Sequence, residues 1–162
     1  MVTPKTKISY KGKEHVKLVI TCKYPASKSG NTANEVWNIV LDFTNIKTIF
    51  PTIVRNYVTY PDTTQKKIGT IRDMTFGGKT LSIGIEKLTK ISEKKRTLAY
   101  TSLDGLPVTN YLGVMSVKGS NACTLTWTIT YDQSPIDKKF AKFLTGLFVK
   151  GEIEIAKVIG LK

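Results

Sequence analysis

Few residues in this 162-residue chain are chemically versatile, and their spacing narrows what they can do. The single histidine, His15, and the two cysteines, Cys22 and Cys123, lie at unrelated spacings, so a zinc site is not credible and no metal is expected. His15 falls on the polar phase of an alternating segment, which reads as a surface histidine rather than a catalytic base. The two cysteines fall on apolar phases of predicted strands, where small buried thiols are the ordinary outcome. General acid–base chemistry needs an acid and a base close to the substrate. Arg72, Glu86, Tyr100 and Tyr111 are the candidates for those polar groups, but no nucleophile–base pair is evident and no cofactor is implied.

The element that must position such groups is the last one. From Ile136 to Leu161 the apolar residues Ile136, Phe140, Phe143, Leu144, Leu147, Ile155, Val158 and Leu161 share one helical face. Lysines 138, 139, 142, 150 and 157 fall away from it. Ser134-Pro135 reads as an N-cap followed by proline at the first helical position. Gly151 interrupts the stripe, for close approach of another backbone, as a tolerated kink, or to leave empty volume beneath the helix. Glu154 lies at the edge of the apolar face, where a rim position is expected.

The remainder is mostly strand. The predicted strands are His15 to Lys23, Ile53 to Tyr60, Ile68 to Phe76, Lys79 to Ser92, Arg96 to Leu103, Asn110 to Lys118 and Ala122 to Asp132. The last alternates Cys123, Leu125, Trp127, Ile129 and Tyr131 with threonines, as a sheet with one wet and one dry face requires. A bulge is expected near Gly84. Two short helices, Ala33 to Leu41 and Asn45 to Phe50, lie between the first and second strands. Residues 1–13 read as a polar, loosely ordered lead-in, and residues 14–162 as one domain. The fold expected is α+β: a seven-stranded antiparallel sheet curled around the terminal helix, with space left between them.

Composition limits the partners. A net charge of +13 attracts polyanions, yet the lysines are spread over every segment and no nucleic-acid motif is present. Nucleic acid is therefore not the expected partner, whereas an anionic membrane surface suits the charge. No apolar run approaches the roughly 18 to 20 residues of a membrane span, and the polar N-terminus lacks an apolar signal core, so the expected location is cytoplasmic.

Several pieces resemble a known superfamily. Val36-Trp37 with Asp42-Phe43-Thr44-Asn45 is similar to the helix-bend signature of START-like (SRPBCC) proteins. Gly69 to Arg72, Glu86 to Leu88, Leu98 to Tyr100, Leu106 to Tyr111 and Leu125 to Trp127 resemble, in order and spacing, its polyketide cyclase/dehydrase and lipid-transport branch. Plant abscisic-acid receptors and the major birch-pollen allergen share that fold. The resemblance spans roughly residues 14 to 161 and implies a helix-grip fold with a hydrophobic cavity between sheet and helix. It implies no particular reaction.

Strand parity then assigns a wall. If Arg72 faces inward, so do Thr70, Met74 and Phe76. The family pattern places Glu86 inward too, with Tyr100, Tyr111, Met115 and Trp127 in the same lining and Leu147, Gly151 and Ile155 opposite on the helix. Two roles for Arg72 and Glu86 stay open: a mutual ion pair, or a hold on the polar end of an apolar ligand. In the family, loops flank the cavity mouth; here they are Gly77-Gly78 and Gly105-Leu106-Pro107, with Leu106 and Pro107 as an apolar gate. Ile71, Leu81, Ile83 and Ile85 fall on the outer face, an apolar patch suited to a homodimer unless a bulge reverses them. The function expected is binding or transport of a hydrophobic small molecule such as a lipid or polyketide. The alternative is an enzyme of the cyclase/dehydrase type, with Arg72, Glu86, Tyr100 and Tyr111 supplying its polar groups.

Overall fold

The computed structural model describes residues 1–61, 68–78 and 82–161, without the side chains of Phe43, Thr44 and Ser82. Its strands are β1 (Lys5–Lys11), β2 (His15–Tyr24), β3 (Ile53–Thr59), β4 (Ile71–Phe76), β5 (Ser82–Ser92), β6 (Thr97–Asp104), β7 (Thr109–Gly119) and β8 (Cys123–Asp132). The helices are α1 (Thr32–Leu41) and α2 (Lys138–Val158), and a 3-10 segment covers Phe43–Thr48. All the strands belong to one antiparallel sheet in the order β1-β2-β8-β7-β6-β5-β4-β3.

Two features correct the expected topology. The sheet has eight strands rather than seven, because Lys5 to Lys11 pair residue for residue with β2. That segment has no buried alternation: only Ile8 is even half-covered, so its order comes from the backbone ladder. Its lysines suit an edge strand, where charge discourages pairing with another chain. The second correction concerns the connection, which now lies between β2 and β3. It holds one α-helix, α1, followed by the short 3-10 segment instead of a second helix. Asp42, in extended conformation, ends α1, and Asn45 leaves helical geometry inside the segment that follows.

The concave face is dry. Along β8, Cys123, Leu125, Trp127, Ile129 and Tyr131 are all buried while the intervening threonines are half-covered. The irregularity expected near Gly84 occurs close by, where β5 slips against β6 between Ile85 and Glu86 and again between Leu88 and Lys90. Pairing of β5 with β4 stays regular, so Arg72 opposes Glu86 and Met74 opposes Gly84.

Helix α2 crosses this face over 21 residues. It starts at Asp137, whose carboxylate accepts from the Lys139 amide at 2.9 Å, and not at the expected Ser134 cap. Its buried face is also rotated. Ala141, Leu144, Phe148, Glu152 and Ile155 face the sheet, while Phe143 and Val158, expected inside, are 64% and 52% exposed. The reason lies in Gly151: a Cβ there would come within 2.8 Å of Phe50 and 2.9 Å of Ile49. That close approach fixes which side of α2 lies down, and the other residues follow at helical spacing.

Candidate functional site

Strands β4, β5, β6 and β7 bring four of the predicted polar residues together in the interior. The Arg72 Nε and Nη2 atoms both donate to Glu86 Oε2, at 2.7 and 2.6 Å. The pair sits on the concave face with 4% and 8% of each residue exposed. The Arg72 guanidinium also lies 5.4 Å from the centre of the Tyr100 ring, a cation–π arrangement. The Tyr100 hydroxyl accepts from Trp127 Nε1 at 2.8 Å, and the Tyr111 ring centre lies 6.2 Å from that of Tyr100. Burial, reinforced for Tyr100 by the Glu86 charge, pushes both phenols far above their ordinary range. They are neutral hydrogen-bonding groups at any physiological pH.

Glycine makes this arrangement possible. A Cβ on Gly113 would lie 2.2 Å from the Tyr100 ring and 2.6 Å from its hydroxyl. The bare backbone of β7 therefore lets Tyr100 lie flat against its neighbour strand and reach Trp127.

Around this network the lining is apolar. Met74 is buried and Phe76 half-buried beside Gly84, where a Cβ would meet both at 3.7 Å. At the same end of the sheet, Leu106 and Leu147 are half-buried, Pro107 is exposed, and Leu103 and Phe143 are 51% and 64% exposed. Gly77-Gly78 leads away from β4, and residues 79–81, including Leu81, lie outside the described residues. The remaining outer-face residues follow the expected parity: Ile71 and Ile85 are half-buried and Ile83 is 49% exposed.

The other end of the interior is filled. Trp127 stacks on Phe148 at 4.3 Å between ring centres, and Phe50 lies 5.7 Å from the first and 6.1 Å from the second. Met115 and Ile155 are buried in the same cluster. The empty volume considered beneath Gly151 is occupied by Phe50 and Ile49. Of the predicted lining, then, Arg72, Glu86, Tyr100, Tyr111, Met74 and Phe76 gather on β4 to β7, and Met115, Trp127, Gly151 and Ile155 belong to the packing next to them, joined to it through the Trp127–Tyr100 hydrogen bond.

A family model described as polyketide cyclase/dehydrase and lipid transport matches residues 30–156. The chain belongs to that family. Structures similar to this member include norcoclaurine synthase from Thalictrum flavum in complex with dopamine and hydroxybenzaldehyde, 19% identical over 96% of this chain and 95% of that one, TM-score 0.70. XoxI from Bacillus cereus is 20% identical over 88% and 94% of the two chains, TM-score 0.71. At such identities the likeness is one of fold, the helix-grip. Comparison with curated protein sequences finds no match. No helix among the described residues of this family member is long and apolar enough to cross a membrane. Groups of residues able to hold a metal ion are likewise absent among the described residues.

The apolar pattern read along α2 did not point to Glu152, which the structure makes conspicuous. It is completely buried, and neither carboxyl oxygen has a hydrogen-bond partner among the described residues. The signal was available: Glu152 is four residues beyond Phe148 and three before Ile155, on the buried face once that face is correctly centred. His15, by contrast, lies where expected, its side chain 45% exposed and its Nδ1 2.9 Å from Asp132.

Proposed function

We propose that this protein binds a hydrophobic small molecule carrying one polar end, in the space between the sheet and the first half of α2. The observation that carries this reading is the Arg72–Glu86 pair, sunk in the concave face among Met74, Phe76, Tyr100 and Tyr111. An ion pair in such a place is expensive to desolvate and gives little net stability over apolar packing. Ligand pockets commonly have this composition, an apolar lining with a few fixed polar groups. The half-covered and exposed apolar residues Phe76, Leu106, Leu147 and Phe143 fit a mouth at the same end. The family's breadth agrees, since its members include lipid transporters as well as cyclases.

Binding without turnover is favoured over catalysis. The Glu86 oxygen that a substrate proton would need is already accepting two guanidinium hydrogen bonds. In an enzyme of the cyclase/dehydrase type, the neutral phenols of Tyr100 and Tyr111 would be the acids. The test is titration of the purified protein with a panel of apolar fluorescent probes and polyketide-like aromatics, followed by analysis of the recovered compounds. The expected result is saturable binding that weakens in Arg72→Leu and in the Arg72→Leu/Glu86→Leu double variant, with the compound returned unchanged. Equal affinity in every folded variant removes the polar anchor from the reading. A chemically altered compound replaces the carrier with an enzyme.

A further inference from the structure

Glu152 is a carboxyl group in a place that suits neither a charge nor a free hydrogen-bonding group. It sits on α2 directly after the residues that close the interior, one turn beyond Phe148 and beside Gly151. It is 0% exposed, and both carboxyl oxygens lack partners among the described residues. Its backbone carbonyl, in contrast, is engaged, accepting from the Tyr24 hydroxyl at 2.8 Å. The helix is thus tied to β2 at the residue whose side chain least tolerates burial.

We propose that Glu152 is a proton-held latch: while its carboxyl keeps a proton, the C-terminal half of α2 stays seated on β2, and loss of that proton releases it. An ionised carboxylate with no partner in an apolar interior is far costlier than the neutral acid. Water can reach it only if α2 lifts from β2. Lifting also draws Phe148 from Trp127 and Phe50, so the latch controls whether the aromatic cluster is closed. This goes beyond ligand binding and holds whatever the ligand is.

The groups around Glu152 leave it alone in this titration. Cys22 and Tyr24 face it from β2, with Cys123 of β8 next to them. Burial holds both thiols at about 11 and the Tyr24 phenol higher still, so all three remain neutral between pH 5 and 9. The 3-10 segment and the residues after it contribute Ile49 and Phe50 beside Gly151, both apolar. Glu152 makes no ion pair among the described residues, and burial alone raises it from 4.5 to about 8.

The sign follows from proton counting. Between those two values the seated helix holds a proton that the lifted helix has released. Opening is therefore favoured as pH rises, by about tenfold per pH unit, and the effect levels off once the seated form also ionises. Native-state hydrogen exchange of the α2 backbone amides from residue 149 to 158, corrected for intrinsic rates, reads this opening. Between pH 5 and pH 8 the wild-type opening constant should rise by hundreds-fold or more, roughly as that slope requires. Glu152→Gln and the apolar Glu152→Leu should both remove the slope, and one of them suffices if the other fails to fold. A carbon-13 titration of the Glu152 carboxyl should have its midpoint near 8. A midpoint in the ordinary carboxylate range, or the same slope in the variants as in wild type, overturns the latch.

Discussion

Two glutamates are buried in the interior, one on the sheet and one on α2, and the structure treats them oppositely. Glu86, at the end of the sheet where α2 begins, is held by two hydrogen bonds from Arg72. Glu152, near the end where α2 finishes, has nothing to hold. Around Glu86 the interior is polar in its centre and rimmed by partly exposed apolar side chains. Around Glu152 it is aromatic and filled, with Phe148 pressed on Trp127. Burial is similar at the two ends, so burial does not separate them. What separates them is whether the sheet supplies a counter-charge. The first end can keep a charge and present it to a ligand; the second can keep only a neutral acid.

The sharpest way to break this contrast is to remove the counter-charge. Arg72→Leu leaves Glu86 buried and unpaired, which typically costs about 3–5 kcal/mol. Replacing both residues by leucine should recover most of that loss, because a buried pair contributes little over apolar packing. Urea denaturation of the two single variants and the double variant measures the coupling. A double variant as unstable as Arg72→Leu would mean that other partners of Arg72 carry its contribution.

The opposite change belongs at the other end. Glu152→Gln removes a group that the fold must keep protonated at a cost. With the folded value near 8 against 4.5, the variant should gain about 2–3 kcal/mol at pH 7, less whatever the amide loses in an apolar site. The gain should shrink as pH falls toward 5 and vanish only below 4.5, where both forms of the chain bind the proton. Denaturation midpoints at pH 5 and pH 7 for wild type and variant decide it, and an equal difference at both pH values would show that packing, not protonation, is responsible.

How far the sequence announced these two ends differs. The polar end was legible because strand parity is rigid: once Arg72 points inward, Met74 and Phe76 follow, and the antiparallel register does the rest. The position of Glu86 came from family resemblance, and the β4–β5 register agrees with it. The filled end was not legible, because a helix face depends on where its neighbours lie. Eight apolar residues placed the stripe over Phe143 and Val158, whereas Phe50 and Ile49 entering the notch at Gly151 turned α2 toward Phe148 and Glu152. Gly151 marks a place for close approach, but nothing local to α2 says that Phe50 and Ile49 fill it. The strand β1 was missed for a related reason, since an edge strand held by its backbone ladder needs no apolar alternation.

Gly151 itself offers the next test. Gly151→Ala would force Phe50 and Ile49 aside by several tenths of an ångström, and overpacking of this kind typically costs about 1–3 kcal/mol. Part of that is offset by the better helix propensity of alanine, about 1 kcal/mol. The net loss should therefore be modest in thermal unfolding, while ligand affinity at the Arg72 end stays unchanged. Affinity falling in step with stability would mean that the two ends are one cooperative site.

The smallest effect on stability is expected at Phe143, and it bears most directly on what the open end is for. Its side chain is 64% exposed on α2, on the helix that begins beside the apolar Leu106 and Val108 region. Lys139 and Lys142, both exposed, flank it along the helix. A surface substitution of this kind usually shifts stability by no more than about 0.5 kcal/mol. If Phe143 is only an idle surface residue, Phe143→Ser changes nothing else. If it forms the rim through which an apolar ligand passes, the variant should bind a fluorescent apolar probe with a slower association rate while its dissociation constant moves little, because a rim residue stands in the path and not in the final contacts. Stopped-flow association against equilibrium titration separates these outcomes. An unchanged association rate would close the mouth at this end and require that ligand enter elsewhere along the sheet.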